Sequence, residues 1–526
     1  MNKYLLIYIL STTSLALHAQ QVIAPNRTWD KNWGTDSFEY LSSVVASVDG
    51  GYYVMGSSSG INQGDKTQTS YGGVDMWVVK VDKNNQKVWD KTFGGTASDY
   101  MVKSVESDTE LLLLGNTSSP KSGNISDPPK GNNDMWVVKM DAQGQILWDK
   151  RFGSSTSVTP KDIAFKNGVT LIGGDAMHGN GGDKTDMGNG SYDFWVIKIN
   201  ANGQKVWDKT YGGSSIENLY KIVLTNDGGA LLIGESHSGI SGDKTEASRG
   251  QSDIWLVKIN ANGQIDWEKT YGGSDIDYYC NGIETSDGNF IITATSKSPI
   301  SGDKSDAPTH GHNHGWILKL DNRGQLIWDR VLKTQFNNSI TDIIAAQDGG
   351  AVLACQASGN AMGDKSQAGI GIYDYWLVRI DSAGHILWNK TEGGLAENEC
   401  LSLCQTVDGG WIVAGNSNSG IGGTKSETNH GMFDYWLVKY GPEQIITGIA
   451  DNDQESAFNL YPNPAKDKVN FNTVVDVRLL SLQGQLLKQA DGVDQLFINE
   501  LSKGNYLLQF KPHQSHQWQR QIVIKE

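Results

Sequence analysis

The most regular candidate metal ligands in this sequence are aspartates inside repeated Gly-Asp-Lys tripeptides. Asp carboxylates and nearby backbone carbonyls together supply the oxygen ligands that calcium prefers. The same carboxylates can instead fix their loops through Asx-turn hydrogen bonds, and this structural role is the favoured interpretation. Calcium is the one cofactor that these residues suggest. The aspartates are Asp65, Asp183, Asp243, Asp303 and Asp364.

A second candidate metal site is the alternating histidine motif His310-x-His312-x-His314. Alternate histidines in a loop can chelate zinc or copper. The motif has no cysteine or acidic partner at a fixed spacing, and the rest of its loop is rich in Gly, Asn and Thr. We therefore predict that these histidines decorate a loop and do not bind a metal.

The elements that position these residues come from an internal repeat. Two series of tryptophans recur at intervals of 59 to 61 residues, in segments such as DMWVVKVD and VWDKTFGG. Each copy contains four strand-like segments and a tight turn such as Asp227-Gly228-Gly229. The third segment, as at 253–259, is apolar on both faces and needs cover on both sides. The tryptophans of the two series are Trp77, Trp136, Trp195, Trp255, Trp316, Trp376 and Trp436, and Trp29, Trp89, Trp148, Trp207, Trp267, Trp328 and Trp388.

Seven copies of a four-stranded unit predict an all-β fold, a seven-bladed β-propeller over residues 20–440. The absence of an atypical terminal copy favours ring closure over a linear solenoid. The chain begins with a lone fourth strand at 27–31, and the last copy ends with its third strand at 434–440. We therefore predict that the N-terminal strand completes the seventh blade. The pattern GG…D…DGN…G…D…K…D..G…W resembles the seven-bladed propeller repeat of secreted bacterial proteins, over about residues 27–440.

Acid and amide side chains about ten residues before each first turn form a candidate ligand site. In a propeller the first strand of each blade lines the central channel, so these side chains should ring one mouth of the channel. Converging carboxylates raise one another's pKa or recruit a cation, and hydroxyl-rich ligands suit such a rim. The alternative is that each side chain caps the turn between two blades. The candidate residues are Glu39, Asp99, Glu217, Asp277, Asn338 and Asn398, with Tyr40, Tyr100, Tyr220 and Tyr278 as walls.

Basic residues that recur once per copy, and the cysteines, are assigned to the scaffold. Lys80 and its equivalents are predicted to pair with carboxylates on the neighbouring strand, such as Asp90 or Asp208. Four cysteines in a chain of 526 residues do not make a disulfide framework. Buried thiols are therefore predicted, and Cys355–Cys404 is the bridge to test first.

The C-terminal region, 457–526, has no tryptophan series and follows a linker at 441–456. Its short strand-like segments predict a small Ig-like antiparallel β-sandwich. The segments LYPNPAKDKV, VRLLSLQGQLL, LSKGNYLLQF and QIVIKE closely resemble the type A sorting domain of the type IX secretion system of Bacteroidota. The resemblance implies that the type IX machinery is a partner and carries the chain across the outer membrane. The motif residues are Tyr461, Pro462, Asn463, Pro464, Gly484, Gly504 and Tyr506.

Residues 1–19 have the features of a secretory signal peptide, with Lys3 before an apolar segment that ends near Ala19. No later segment approaches the ~20 apolar residues of a membrane span. The net charge of -15, without blocks of Lys or Arg, argues against nucleic acid as a partner. We predict export to the periplasm and then location at the outer-membrane surface or outside the cell.

These observations predict a secreted or cell-surface binding or adhesion scaffold for a glycan, protein or matrix ligand. The alternative is a secreted hydrolase or lyase that acts on polysaccharide. Such an enzyme normally needs a pair of carboxylates, which would break the repeat symmetry, whereas most acids in this sequence obey it. No catalytic residue is assigned.

Overall fold

The structure is a computed structural model that describes residues 20–107, 109–309, 311–447, 460–461, 463–481, 485–512 and 518–525. These residues form β-strands, and no α-helix occurs among them. The chain divides into two compact units, Ile23–Gln444 and a unit that joins Met1–Val22 with Ile445–Glu526. The predicted signal peptide, and residues 448–456 of the predicted linker, lie outside the described residues.

The strands up to residue 447 follow the predicted repeat. In chain order they are β1 (Gln20–Ile23), β2 (Arg27–Trp33), β3 (Glu39–Ala46), β4 (Tyr52–Ser58), β5 (Asp75–Val81), β6 (Lys87–Phe93), β7 (Asp99–Ser107), β8 (Glu110–Thr117), β9 (Asp134–Met140), β10 (Ile146–Phe152), β11 (Val158–Lys166), β12 (Val169–Met177), β13 (Tyr192–Ile199), β14 (Lys205–Tyr211), β15 (Glu217–Leu224), β16 (Ala230–Ser236), β17 (Asp253–Ile259), β18 (Ile265–Tyr271), β19 (Asp277–Glu284), β20 (Phe290–Ser296), β21 (His314–Leu320), β22 (Leu326–Val331), β23 (Asn338–Ala345), β24 (Ala351–Ala357), β25 (Asp374–Ile380), β26 (Ile386–Glu392), β27 (Asn398–Gln405), β28 (Trp411–Ser417), β29 (Asp434–Tyr440) and β30 (Gln444–Thr447).

Strands β2 to β29 form seven antiparallel four-stranded sheets in the part of the chain that the structure describes. Sheets 1 to 6 each contain four consecutive strands, from β3–β6 in sheet 1 to β23–β26 in sheet 6. Sheet 7 contains β27, β28 and β29, and its fourth strand is β2. The first strand of each sheet contacts the first strand of the next, and β27 contacts β3, so the contacts form a closed cycle.

The N-terminal strand closes this cycle as predicted. β2 pairs with β29 from Arg27↔Tyr440 to Trp33↔Tyr435. The side chain of Asp30 in β2 accepts hydrogen bonds from Trp436 Nε1 at 3.0 Å and from Ser426 N at 2.9 Å. β2 therefore supplies sheet 7 with its fourth strand and with the acceptor for the third-strand tryptophan, both of which the other sheets take from their own fourth strand.

The third strand of each sheet is buried along its length. Every residue of β17 in sheet 4 is buried, because neighbouring sheets cover both of its faces. Trp255 packs on Phe194 of sheet 3 with ring centroids 5.0 Å apart and donates from Nε1 to Glu268 at 2.8 Å. The tryptophan series of the third strands is thus part of the packing between sheets. Its members, all 0% exposed, are Trp77, Trp136, Trp195, Trp255, Trp316, Trp376 and Trp436.

The prediction that Lys80 pairs with Asp90 is wrong. Lys80 Nζ lies 2.9 Å from Asp49 in the turn between β3 and β4, and Asp90 instead accepts from Trp77 Nε1 at 3.1 Å. Asp90 is in register with Val79, so its side chain lies on the face of Val79 and Trp77. Lys80 points to the opposite face because side chains alternate along a strand. Asp208 likewise accepts from the tryptophan of its own sheet.

The four cysteines are free thiols. Cys280, Cys355 and Cys400 are buried and Cys404 is half-buried, and burial raises the pKa of the Cys404 thiol to about 12. The Cys355–Cys404 bridge, which was the first to test, is not formed, because the two side chains belong to different packing clusters.

The smaller unit contains a five-stranded antiparallel sheet with its own apolar core, which includes Val469, Phe471 and Leu508. The strands predicted at 468–472 and 475–480 form one continuous strand, whose pairing is interrupted by register shifts. The Ig-like sandwich stays a prediction. The strands are β31 (Leu460–Tyr461), β32 (Lys468–Leu480), β33 (Leu486–Phe497), β34 (Gly504–Pro512) and β35 (Gln519–Lys525).

Candidate functional site

The Gly-Asp-Lys tripeptides clamp neighbouring sheets together. Asp243 N donates to Gly212 O at 2.9 Å, and Gly212 N donates back to Asp243 Oδ2 at 3.1 Å. Gly212 directly follows sheet 3, so this pair of bonds fixes a loop of sheet 4 to the preceding sheet. Gly242 has φ +56°, and a Cβ there would collide with the Gly212 carbonyl oxygen. Equivalent paired bonds occur at Asp65, Asp183, Asp303 and Asp364.

These contacts give the five aspartates a structural role, but the bonds join two sheets and are not the Asx turns within one loop that the sequence favoured. Asp303 and Asp364 also pair with Arg249 at 2.7 Å and Arg330 at 2.6 Å, respectively. Within the described ranges, no group of three or more His, Cys, Asp or Glu side chains could hold a metal ion. Calcium binding by these aspartates stays a prediction.

The histidine motif is split between a loop and a strand. His310 lies outside the described residues, and His312 packs edge-to-face on Phe336 at 5.7 Å. His314 begins β21 and is 0% exposed, so the prediction of loop decoration is wrong for this residue. Its Nε2 donates to Thr309 O at 3.0 Å, and Asn338 Nδ2 donates to its Nδ1 at 2.7 Å. Burial lowers the pKa of His314.

The lysine of each tripeptide is buried, which was not predicted. Lys244 is 1% exposed and donates to Thr270 Oγ1. Burial lowers its pKa, and the nearby charges of Glu268 and Asp253 oppose that effect. Burial lowers the pKa of three equivalents to about 8: Lys66, Lys304 and Lys425. A lysine that recurs with the period of the buried tryptophans was the available signal in the sequence.

Sheet 2 supplies the same buried cation from another position. Its loop has Ile125 where the other loops have lysine, and Ile125 is 2% exposed. Arg151 in β10 fills the place, with Nε 3.3 Å from Asp134 Oδ2 and Nη2 3.0 Å from Thr117 Oγ1. A buried cation therefore occurs in every sheet of the cycle: Lys66, Arg151, Lys184, Lys244, Lys304, Lys365 and Lys425.

The predicted rim residues begin the first strands, as the spacing indicated, but they are buried. Glu217 accepts from Gly213 N at 2.7 Å, from Ser236 Oγ at 2.7 Å and from Ser238 Oγ at 2.6 Å. The side chains thus cap the turn between two sheets, which is the alternative that the sequence left open. Ligand binding by these six residues stays a prediction. Their burial does not favour it. Exposures are 0 to 2% for Glu39, Asp99, Glu217, Asp277, Asn338 and Asn398.

Side chains that differ from sheet to sheet line the central channel. Each first strand has a β-bulge; in β15 the pairing passes from Leu219 to Lys221 and leaves Tyr220 without a partner residue. Bulges redirect side chains, and the side chains of the bulge residues surround a cavity of about 390 Å³. A second cavity of about 580 Å³ shares Lys103 and Lys221 with the first. The bulge residues on the first cavity are Ser42, Val102, Lys161, Tyr220, Tyr279, Thr341 and Leu401.

Charged side chains beside the bulges connect sheets across the channel. Lys103 Nζ of sheet 2 lies 3.9 Å from Asp342 Oδ2 of sheet 6, and these sheets are not neighbours in the cycle. Lys221 Nζ lies 3.5 Å from Asp162 Oδ2, which also accepts from Ile222 N at 2.8 Å. The channel interior is therefore polar as well as apolar.

Sheets 3 to 5 form the aromatic side of the channel. Lys161 Nζ lies 3.0 Å from Asp175 Oδ2 and 5.1 Å from the ring centroid of Tyr220. The rings of Tyr220 and Tyr279 meet edge-to-face at 5.7 Å. Tyr279 is 57% exposed and has φ +49°, a backbone conformation that costs free energy for a residue with a Cβ.

A pair of acids beside this wall breaks the repeat symmetry. Asp175 and Glu235 occupy equivalent positions in the second strands of sheets 3 and 4. Asp175 Oδ1 accepts from Leu219 N at 2.7 Å, and burial raises the Asp175 pKa to about 6. Among the described residues, Glu235 Oε2 has no hydrogen-bond partner although it is buried. The other sheets have neutral residues at this position: Ser57, Asn116, Thr295, Gln356 and Asn416.

This acid pair was missed in the sequence because the position was not compared among the seven copies. All seven copies have Gly, Ala or Cys before it, and the polar residue that follows resembles an ordinary strand residue. An alignment of the copies on the second strand would have shown that acids occur in two of them only.

The sorting-motif residues lie in the smaller unit. Asn463 Oδ1 accepts from Ile524 N at 2.9 Å, and Tyr506 donates from its hydroxyl to Ser502 O at 2.8 Å. Gly504 begins β34, Tyr461 ends β31 and Pro464 lies between β31 and β32. Pro462 and Gly484 lie outside the described residues.

Comparison with known proteins identifies the tail. Residues 459–525 match the model of the secretion system C-terminal sorting domain. Regulatory protein FlaEY of Caulobacter vibrioides is 24% identical over 419 residues, which are 69% of this chain and 43% of that protein. The chain thus spans less than half the length of this curated relative.

Two solved structures similar to the chain are a WD40 domain and a secretion-system component. The Pan2 WD40 domain of Neurospora crassa has a TM-score of 0.42 and 9% identity, over 80% of this chain and 99% of that one. PorZ, a surface component of the type-IX secretion system of Porphyromonas gingivalis, has a TM-score of 0.31 and 11% identity, over 94% and 74%.

The repeated four-stranded sheets, joined in a cycle, define a β-propeller fold. The tail is a type IX secretion sorting domain. Such a domain implies export to the cell surface or the extracellular space. No helix in the described part of the chain is long and apolar enough to cross a membrane.

Proposed function

We propose that this chain is an exported seven-bladed β-propeller that binds an extracellular ligand in its central channel. Each four-stranded sheet is one blade, and β2 closes the ring. Residues 1–19 direct export to the periplasm, and the sorting domain engages the type IX machinery for passage to the surface. The ligand classes that remain are glycan, protein and matrix.

The loss of repeat symmetry at the channel is the observation that supports this function. A residue that holds a blade has the same task in every blade, and the Trp–acid pairs and buried cations repeat accordingly. The bulge residues instead range from Ser and Val to Lys and Tyr. A ligand in the channel presents different groups to different blades, so its binding residues need not repeat.

A glycan fits this channel best. The first cavity, about 390 Å³, lies within the range of about 300–1,000 Å³ that is typical of small-molecule sites. Its wall combines tyrosine rings with hydroxyl, amide and ammonium groups, which suits a ligand with apolar faces and many hydroxyls.

A glycan array with the full mature chain tests this function. We expect binding to at least one glycan, weakened about threefold to tenfold in Tyr279→Ala, since an aromatic contact contributes about 0.5–1.5 kcal/mol. Tyr71→Ala is the matched control, because Tyr71 is 48% exposed and is not among the channel-lining residues. Equal binding by the Tyr279→Ala variant and the wild type would place the ligand elsewhere.

The acid pair Asp175 and Glu235 supports a second candidate, a hydrolase or lyase that acts on polysaccharide. Two carboxylates that break the symmetry are the arrangement such chemistry needs, and the raised pKa of Asp175 suits an acid that transfers a proton. Turnover of the bound glycan, lost in Asp175→Asn and Glu235→Gln while binding persists, would establish this function. Binding without product release would exclude it for the glycans tested.

A further inference from the structure

The first cavity presents positively charged groups, although the chain carries a net charge of -15. Lys103, Lys161 and Lys221 line the first cavity, and Asp162 is the one acidic residue among the residues that line it. Each of these lysines also lies near a carboxylate, so the cavity offers an anion individual ammonium groups rather than a net positive charge.

The lysines retain hydrogen-bond donors for a ligand. Their acid partners lie at 3.0 Å for Lys161, 3.5 Å for Lys221 and 3.9 Å for Lys103. A distance of 3.9 Å is too long for a hydrogen bond, and each ammonium has three N–H groups. A second anion can thus bind to these groups without displacing the carboxylates.

An aromatic platform lies next to the ammonium groups. Tyr220 packs under Lys161 Nζ, and Tyr279 meets Tyr220 edge-to-face. Strained residues such as Tyr279 persist where the surrounding structure holds them, commonly at binding sites. An exposed ring beside a cation suits a ligand that has both an apolar face and a negative group.

Neutral polar side chains complete the lining. The Gln356 amide has no hydrogen-bond partner among the described residues, and it borders the same cavity. Thr341 donates from Oγ1 to Ala354 O at 3.1 Å, and Ser42 donates from Oγ to Met101 O at 2.8 Å, so both hydroxyl oxygens remain acceptors. These groups match the hydroxyls of a sugar ring.

We propose that the cavity between Lys161, Lys103, Tyr279 and Gln356 binds a sugar that carries a carboxylate, such as a uronic acid unit of an acidic glycan. This proposal rests on the proposed channel function and adds the chemical class of the ligand. The lysines hold the carboxylate, a tyrosine ring covers one face of the sugar, and the amide and hydroxyls contact its hydroxyl groups.

An extended acidic peptide fits this cavity less well. Peptides that bind to sheets commonly pair with an open strand edge. The first strands that form the wall are edge strands, each paired on one side only. Side chains of the preceding sheet already accept from their outward N–H groups, as Asp175 and Asp162 do from Leu219 and Ile222 in β15. The side chains, rather than the backbone, are thus the groups available to a ligand.

Calorimetric titration of the full mature chain with galacturonic acid trimer and with a neutral galactose trimer tests the proposal. We expect binding of the acidic trimer to be at least tenfold tighter than binding of the neutral one, and to weaken as salt rises. Lys161→Met and Lys103→Met should each weaken the acidic trimer about tenfold or more, since one charged hydrogen bond is lost. Lys161→Arg should retain binding, and Lys83→Met, at an exposed site outside the channel, is the matched control.

The outcomes separate this proposal from the proposed function. Equal affinity for the two trimers, no binding of the acidic trimer, or tighter binding of a poly-glutamate peptide would each overturn the acidic-sugar proposal. The channel function fails if a glycan found on the array binds equally to wild type and Tyr279→Ala. Circular dichroism and melting of each variant show whether a loss of binding comes from misfolding. If Lys161→Met is misfolded, the comparison of Lys161→Arg with the wild type decides.

Discussion

A buried cation stands at the same place in each sheet, although two different chain positions provide it. In six sheets a loop lysine fills the place, and in sheet 2 Arg151 does so while Ile125 replaces the lysine. A buried acid stands at or near the start of the third strand in every sheet except sheet 5, which has His314 there, and in sheet 2 the cation pairs with this acid, Asp134. Removal of a buried partner leaves an uncompensated charge, which costs about 3–5 kcal/mol.

The double variant Ile125→Lys/Arg151→Thr should restore the stability that Arg151→Thr removes. Arg151→Thr is expected to lower the free energy of unfolding by about 3 kcal/mol, because Asp134 loses its guanidinium. Ile125→Lys recreates the Lys244 and Thr270 pair of sheet 4. Urea unfolding of the two single variants and the double variant measures the coupling. Additive losses would contradict the equivalence of the two positions.

The buried lysines should make stability rise with pH above pH 8. Burial lowers the pKa of Lys304 from 10.5 to about 8, so between these values the unfolded chain binds the proton more tightly than the folded chain. The free energy of unfolding then increases with pH, by at most about 1.4 kcal/mol per pH unit for each lysine. Below pH 8 Lys304 is protonated in both the folded and the unfolded chain. The folded chain then bears the full free-energy cost of the buried charge.

Urea unfolding of wild type and Lys304→Met between pH 8 and 9.5 measures this effect. Thiols and tyrosines titrate in both proteins, so the difference between the two slopes isolates Lys304. We expect a less positive slope for the variant. Parallel pH dependences would show that Lys304 has an ordinary pKa in the folded protein.

Among the strands, residue spacing predicted the starts of the elements but not their bulges. Counting back from the turns placed five first-strand starts correctly, from Glu39 to Asn398, and Asp99, one residue from the counted position, begins a sixth. The bulge at Tyr220 has no turn residue to mark it, because it depends on contacts between neighbouring sheets. Lys66 lies in a Gly- and Ser-rich loop, a composition that suggests exposure. The acids that face it, Asp75 at the start of β5 and Glu39 at the start of β3, meet it only in the folded sheet.

Removal of the N-terminal strand should cause a cooperative loss of stability. Deletion of 20–33 takes away β2, unpairs β29 and leaves Trp436 without its acceptor Asp30. We expect a lower melting temperature for the whole ring, because sheet 7 also covers its neighbours. Deletion of 20–25, which retains β2, is the control. Identical melting of the 20–33 deletion and the parent would refute the closure.

For the whole molecule, the sorting domain predicts where the truncated protein stops. Deletion of 457–526 should leave the remainder in the periplasm of a host with a type IX system, because the signal peptide acts before the sorting domain. Cell fractionation and surface labelling, with the full chain in the same host as control, measure the distribution. Surface display of the truncated chain at the level of the full chain would show that export does not depend on the domain.

The measurement that tests the channel claim most directly is ligand titration of a protein whose channel is filled. Leu401→Trp adds a large side chain to the wall of the first cavity, whereas Val88→Trp adds the same side chain at a position that is 57% exposed. We predict that Leu401→Trp lowers the affinity for the array-selected glycan at least tenfold while Val88→Trp leaves it unchanged, with both variants folded. Wild-type affinity in a folded Leu401→Trp protein would contradict a ligand site in the channel.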